Sequence, residues 1–167
     1  MKPLGETLDA MHVSLINRFN CIVDHDDLVY ILGDFTFRKD EILQRLKGTK
    51  ILVRGNHDST DICNWLVRKG IVAAVVDGIT AHIRRRPVFL THIPIEDWPG
   101  RETGTIMFHG HRHGGLSDRG DGWVNTTPNC YDVGVDVGRH RFAPISVDKA
   151  FSYVDKKNKA LAEEGEF

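Results

Sequence analysis

Leu28 to Phe35 reads LVYILGDF, five apolar or aromatic residues in a row, then Gly33-Asp34 and Phe35. A short apolar run without alternation predicts a strand buried on both faces, as in a parallel sheet. Lys50 to Arg54 (KILVR) predicts a second short strand, halted by Gly55-Asn56. Between the two, Glu41 to Leu46 (EILQRL) puts Ile42, Leu43 and Leu46 on one helical face, with Gly48 as its stop. Asp61 to Lys69 predicts the next helix, with Ile62, Trp65 and Leu66 on one side. Ser59, Thr60 and Asp61 offer capping oxygens, and Gly70 closes the helix. This alternation predicts parallel β-α-β units and an α/β fold.

Working outward, Leu8, Met11, Leu15, Ile16 and Phe19 recur at helical steps and predict an amphipathic helix over 7–20, with Thr7 as its N-cap. The second half predicts short strands instead, at Ile71 to Val76, Ala81 to Arg84, Val88 to Leu90, Thr105 to His109, Tyr131 to Val137 and Pro144 to Val147. Gly114 to Gly122 (GGLSDRGDG) reads as a glycine-rich charged loop. Residues 151–167 read as a polar helix or tail that frays. No internal repeat or low-complexity linker interrupts the chain.

A length of 167 residues predicts a single domain, 1–167, large enough to bury a core without staples. A hydrophobic content of 41% with 27% charged residues is that of an ordinary globular protein. The formal charge of −1 supplies no bulk attraction to nucleic acid or anionic membrane. Cys21, Cys63 and Cys130 are odd in number and contain no C-x-x-C pair, which argues against a disulfide framework or a zinc ribbon. No apolar run reaches the roughly 18 residues that span a bilayer, and no leader pattern stands at the N-terminus. The expectation is a cytoplasmic protein with no membrane partner.

Four islands of His, Asp and Asn follow strand-like runs: Gly33-Asp34, Gly55-Asn56-His57-Asp58, Thr91-His92 and Gly110-His111-Arg112-His113. Each island alone is a weak signal: Gly33-Asp34 and Gly55-Asn56 read equally as turns and His92 as a hydrogen-bonded loop histidine, whereas the His111/His113 pair is a metal candidate in its own right. In an open α/β sheet, however, ligands gather outside the carboxyl ends of strands, so separate strands can aim such residues at one point. The separations from Asp34 to Asn56 to His92 to His111 are 22, 36 and 19 residues. His111 and His113, two apart, can project together from an extended segment.

The ordered string GD…GNHD…TH…GHRH resembles the calcineurin-like metallophosphoesterases, in particular the small single-domain bacterial and phage type. The resemblance runs from about residue 7 to about residue 150 and includes Asp132 to Ser146 (DVGVDVGRHRFAPIS). It implies a four-layer α/β/β/α sandwich of two mixed sheets flanked by helices, with the site on one rim. It implies that Asp34 bridges two metal ions, that Asn56, His92 and His111 complete the second metal site, and that His113 binds the first metal. His57 would serve as general acid or charge stabiliser at the leaving oxygen, with Asp58 orienting His57 or its neighbours. Two bridged cations polarise a phosphoryl oxygen and acidify a shared water. Mixed N/O ligation suits manganese, iron, zinc or nickel.

One element of the family pattern is missing. The Asp-x-His that ends the family's first strand has no counterpart here. Asp9 and His12 are three apart and fall within the first helix pattern, on its exposed side. The expectation is therefore a domain without its first strand, with one metal site intact and the other incomplete. The sheet edge exposed beside the Asp34 strand would favour self-association.

The functional expectation is metal-dependent hydrolysis of a phosphomonoester or phosphodiester, with a nucleotide or nucleic acid among the substrates. Its rival is an impaired member of the same fold that acts as a metal-binding or scaffold module. Lesser candidates are Arg84-Arg85-Arg86 (a solvated hairpin or a phosphate-steering patch), His109 behind the site, Trp98 and Trp123 as pocket walls or core, and His25 and His140 as surface residues.

Overall fold

A computed structural model describes residues 8–113, 123–138 and 140–165. The Thr7 cap and the Gly114–Gly122 loop lie outside these residues, as do the side chains of Leu8, Asp9 and Met11. The protein is a mixed α/β structure. Helix α1 (Leu8–Asn20) leads into β1 (Leu28–Leu32), then β2 (Thr49–Val53), α2 (Thr60–Arg68) and β3 (Ala74–Val76). The hairpin β4 (Ile79–Ile83) and β5 (Arg86–Leu90) follows, then β6 (Ile106–His109), α3 (Trp123–Thr126), β7 (Cys130–Asp132) and α4 (Val147–Glu164).

Among the described residues the strands form two sheets, ordered β1-β2-β3 and β4-β5-β6-β7. The first is parallel throughout, with Leu28 facing Thr49 and Ile51 facing Ala74. This corrects the expectation of two mixed sheets. The connections in the first half cross over and return in the same direction, whereas the β4–β5 hairpin reverses it. In the second sheet that hairpin is antiparallel, and β5-β6-β7 run parallel. Arg84 and Arg85 both take positive φ, +51° and +67°, as a tight two-residue hairpin turn requires.

The sheets stack face to face. Tyr30, Leu32, Val53 and Val76 of the first sheet pack in one cluster with Val88, Leu90, Ile106, Phe108 and Tyr131 of the second. The alternate residues Ile31, Leu52 and Val75 face outward and pack with Ile62, Cys63, Trp65 and Leu66 of α2. Residues buried on both sides explain the unbroken apolar runs. The outer face of the second sheet, at Met107 and Cys130, is covered by Trp98 and Val124. Trp98 is therefore core rather than a pocket wall, and its indole N–H donates to the Thr105 carbonyl at 2.8 Å.

Several local expectations are corrected. EILQRL forms a 3₁₀ helix (Glu41–Arg45), started by the Asp40 side chain accepting from the Ile42 amide, and not an α-helix. The Tyr131 strand ends at Asp132, where the Asp132 carboxylate accepts from the Gly134 amide and turns the chain. Pro144 to Val147 is not a strand, since Ser146 caps α4 through the Lys149 amide. His12 is half-buried beside Asp40, 3.7 Å away, and not on an exposed face. His140 is buried, its Nδ1 donating to the Gly134 carbonyl at 2.6 Å.

The C-terminal residues do not fray up to Glu164. Ala150, Phe151, Val154 and Leu161 of α4 are buried, and the first three join the inter-sheet cluster. Arg86 binds Asp155 with both guanidinium nitrogens, at 3.0 and 2.8 Å, and lies over the Phe151 ring. Arg84 lies 3.5 Å from Asp148. Two members of the arginine trio thus tie the hairpin to α4. No described helix is long and apolar enough to cross a membrane. At the other side of the molecule β1 is an edge strand, paired with β2 alone among the described strands.

If α4 is part of the core, Phe151→Ala should lower unfolding stability by about 3–5 kcal/mol in denaturant titration. A frayed tail would give no measurable change.

Candidate metal centre

Parallel strands bring their carboxyl ends to one rim. The islands stand just past four such ends: Asp34 after β1, Asn56 after β2, His92 after β5 and His111 after β6. The two sheets meet there. The Gly110 amide donates to the His92 carbonyl at 3.1 Å, and His92 Nδ1 lies 2.8 Å from the Leu32 carbonyl oxygen. The glycines permit this approach. A Cβ on Gly33 would stand 2.2 Å from His92 Nδ1, one on Gly55 2.3 Å from the Asp34 amide nitrogen, and one on Gly110 2.8 Å from the Leu32 carbonyl oxygen. Gly33 also takes φ +85°, which L side chains adopt at a cost.

His92 is buried, and its protonation pattern follows from its partners. The Leu32 carbonyl can only accept, so Nδ1 carries the proton and Nε2 the lone pair. Around Nε2 lie Asn56 Oδ1 at 2.9 Å, His111 Nδ1 at 3.2 Å and Asp34 Oδ2 at 3.3 Å. The two oxygens cannot donate. The His92 lone pair and the two oxygens repel unless a cation, a second proton on the His92 ring or the Nδ1–H of His111 lies among them. Candidate ligand atoms of Asp34, His92 and His111 all lie within 4.8 Å of one another, a spacing that can hold a metal ion. The N/O donor set fits a borderline transition metal better than calcium or magnesium.

Asp58 holds this geometry from below. It is buried at 2% exposure. Its Oδ2 accepts from the amides of Asp34 and Gly55, both at 2.8 Å, and its Oδ1 from the amide of Phe35 at 3.1 Å. One carboxylate therefore ties the loop after β1 to the loop after β2. It serves the neighbours of His57 rather than the imidazole itself. The His57 amide in turn donates to Asp34 Oδ1 at 2.9 Å, leaving Oδ2 directed at His92. The His57 side chain is exposed outside the donor group, its ring centroid 5.8 Å from that of Phe37.

His113 stands apart from the Asp34–His92–His111 group. It is paired with Asp136 through Nδ1 and Oδ2. That hydrogen bond, aided by the charges of Asp136, Asp132 and Asp34, raises its pKa above the usual histidine range. Sequence reasoning missed Asp136, whose only signal is the acidic, glycine-centred DVGVD at 132–136. Asp34, His111 and His113 all have positive φ, at +51°, +69° and +50°. For residues other than glycine such backbone is strained and clusters at functional sites. His109 lies behind the site, fully buried, its Nδ1 2.8 Å from the Gly110 carbonyl oxygen. Burial pushes its pKa down.

Gly33→Ala should cost about 2–5 kcal/mol, from the left-handed backbone and the collision with the His92 ring, and should weaken metal binding. Gly70→Ala, also at positive φ but with nothing within 4 Å of its Cβ, serves as control. It should cost about 1–2 kcal/mol and leave metal affinity unchanged in a calorimetric titration.

No protein-family model matches the chain. It is similar to an uncharacterized protein of Methanocaldococcus jannaschii, 26% identical over 155 residues that span 89% of this chain and 78% of the relative. It is also similar to the gene 66 protein of Mycobacterium phage L5, 27% identical over 143 residues, 68% of this chain and 69% of the relative. Neither name states an activity. The crystal structure of a protein of unknown function from Aquifex aeolicus superposes with a TM-score of 0.67 at 22% identity, covering 89% of this chain and 87% of that one. This likeness shows a shared fold.

Proposed function

We propose that this chain is a metallophosphoesterase-type hydrolase that cleaves a phosphomonoester or phosphodiester with a divalent transition-metal ion. The observation that carries the reading is the gathering of Asp34 Oδ2, Asn56 Oδ1 and His111 Nδ1 within 3.3 Å of His92 Nε2, each residue delivered by a different strand end. The α/β/β layering and the order of the islands agree with the calcineurin-like pattern. Asp34, Asn56, His92 and His111 would hold the ion. A divalent cation there supplies Lewis acidity toward a phosphoryl oxygen and acidifies water near neutral pH.

The chain's own groups divide the remaining work. Asp34 is oriented by the His57 amide, and His92 by the Leu32 carbonyl, so neither ligand has to reorganise. Asp58 keeps the two ligand loops in register through three backbone amides. His57 is exposed and lies beside the donor group without joining it. Its imidazole is suited to protonate a leaving oxygen. Among the described residues one His/Asp group of this spacing is present, so the proposal requires one tightly held cation.

The test is hydrolysis of a bis-aryl phosphodiester and an aryl phosphomonoester by purified protein, with manganese and with chelator. Turnover should require the metal. His57→Ala should keep the metal and lose about 10²–10⁴-fold in rate. His92→Ala should lose both metal and turnover. Chelator-resistant hydrolysis, or full activity in His57→Ala, would sink the assignment.

A further inference from the structure

Phe37 is the most exposed large apolar side chain among the described residues, with 71% of it open to water. It packs in none of the hydrophobic clusters there, whereas Phe35, two residues earlier, packs inward against the Leu52 cluster. The turn that carries it is fixed on both sides. Asp58 Oδ1 accepts from the Phe35 amide at 3.1 Å. The Thr36 hydroxyl donates to the Arg38 carbonyl at 2.8 Å and accepts from the Arg38 amide at 3.2 Å. Lys39 pairs with Asp61 in the first turn of α2, 2.5 Å away, and the Asp40 side chain caps the 3₁₀ helix that follows. Phe37 thus stands on a preset turn, three residues past Asp34, and the cost of ordering that turn is met in folding rather than in binding. Ile93 and Ile95, one and three residues past His92, are exposed as well. A single exposed apolar side chain is ordinary, but here three lie on loops that leave two donor-bearing strand ends.

We infer that Phe37 is a specificity-determining residue, offering its ring as a stacking face to an aromatic group on the leaving side of the phosphate ester. The inference rests on the hydrolase reading above and deepens it. Its warrant is the position of the ring. The Phe37 and His57 ring centroids are 5.8 Å apart, with the planes tilted by 57°. With so much of Phe37 exposed, the imidazole leaves most of the phenyl ring uncovered. His57 is tied to the donor group through its amide, which donates to Asp34 Oδ1 at 2.9 Å. A leaving oxygen that took its proton from His57 would bring the organic group attached to it within reach of Phe37. A flat aromatic group there gains by stacking, while a saturated group of the same size gains only the area it buries. Phe37 itself touches no reacting atom.

The competing interpretation is a surface phenylalanine that no ligand meets. Calorimetric titration of the full chain loaded with manganese separates the two. The probes are phosphonates, whose P–C bond is not hydrolysed, in two pairs that differ by an aromatic group. Benzylphosphonate is set against cyclohexylmethylphosphonate, and the phosphonate isostere of adenosine monophosphate against that of ribose monophosphate. The aromatic member of at least one pair should bind about 5–100-fold tighter than its partner. The pair with the larger ratio tells whether the group is a simple aryl ring or a nucleobase. Phe37→Ala and Phe37→Leu should bring that ratio close to one, and Phe37→Trp should keep or raise it. Thermal unfolding should be unchanged in all three variants, since the side chain is exposed, so a lost ratio is not a lost fold. A ratio near one for both pairs in wild type, or a ratio that survives Phe37→Ala, would overturn the inference and leave the hydrolase reading standing. If neither the phosphonates nor inorganic phosphate bound in a manganese-dependent way, the metal-centre reading would fall first and the inference with it.

Discussion

The His92 ring lies where a side chain on residue 33 would have to be, 2.2 Å from the position of its Cβ. That close approach joins the sheets at the rim of the sandwich. It lets the Leu32 carbonyl at the end of β1 fix an imidazole that follows β5, and it turns the lone pair of that imidazole toward Asp34, Asn56 and His111. Each other part of the site takes its position from this junction. Gly55 passes close to Asp34, and Gly110 close to Leu32, for the same reason. Three islands begin with glycine because three strand ends crowd together where no Cβ fits.

Crowding of this kind has an energetic cost that the site must offset. Asp34, His111 and His113 each hold left-handed backbone, at roughly 1–3 kcal/mol apiece. The oxygens of Asp34 and Asn56 and the lone pair of His92 repel one another unless a proton or a cation lies among them. Asp58 supplies part of the compensation, since three amide hydrogen bonds to one buried carboxylate are each worth about 1.5–3 kcal/mol. A bound cation would supply the rest by reversing the sign of the remaining interaction. The arrangement is thus stiff beneath, at Asp58, and electrostatically frustrated above, where a ligand would enter.

The periphery obeys different rules. The α4 sequence is polar enough to predict a helix or tail that frays, yet Phe151, Val154 and Leu161 recur at three- to seven-residue steps and are buried. A narrow apolar stripe is easily outvoted by charge in composition, but docking needs only the stripe. His140 is buried where a surface position is expected, and Trp98 is left open between pocket wall and core, for a related reason. A single aromatic or imidazole in a polar loop carries no periodicity, so only its neighbours in space reveal that it is buried. The EILQRL segment shows the limit of helical spacing, which a single 3₁₀ turn and an α-turn satisfy almost equally.

By itself the sequence marked where β1, β2, β5 and β6 end and which His, Asp and Asn residues follow them. Unbroken apolar runs stopped by Gly-Asp, Gly-Asn and Gly-His are local signals, and local burial is what such runs encode. The tertiary structure alone decided which donors meet. Asp34 and Asn56 follow strands of the first sheet, His92 and His111 follow strands of the second, and no periodicity within one strand records the registration between two sheets. It decided likewise that His113 meets Asp136, 23 residues away, and that His57 stands outside the donor group. The meeting of the donors from the two sheets depends on how closely two packed surfaces can approach. That is a property of side-chain volumes summed across the interface, and here it is set by the absence of a Cβ at Gly33, Gly55 and Gly110.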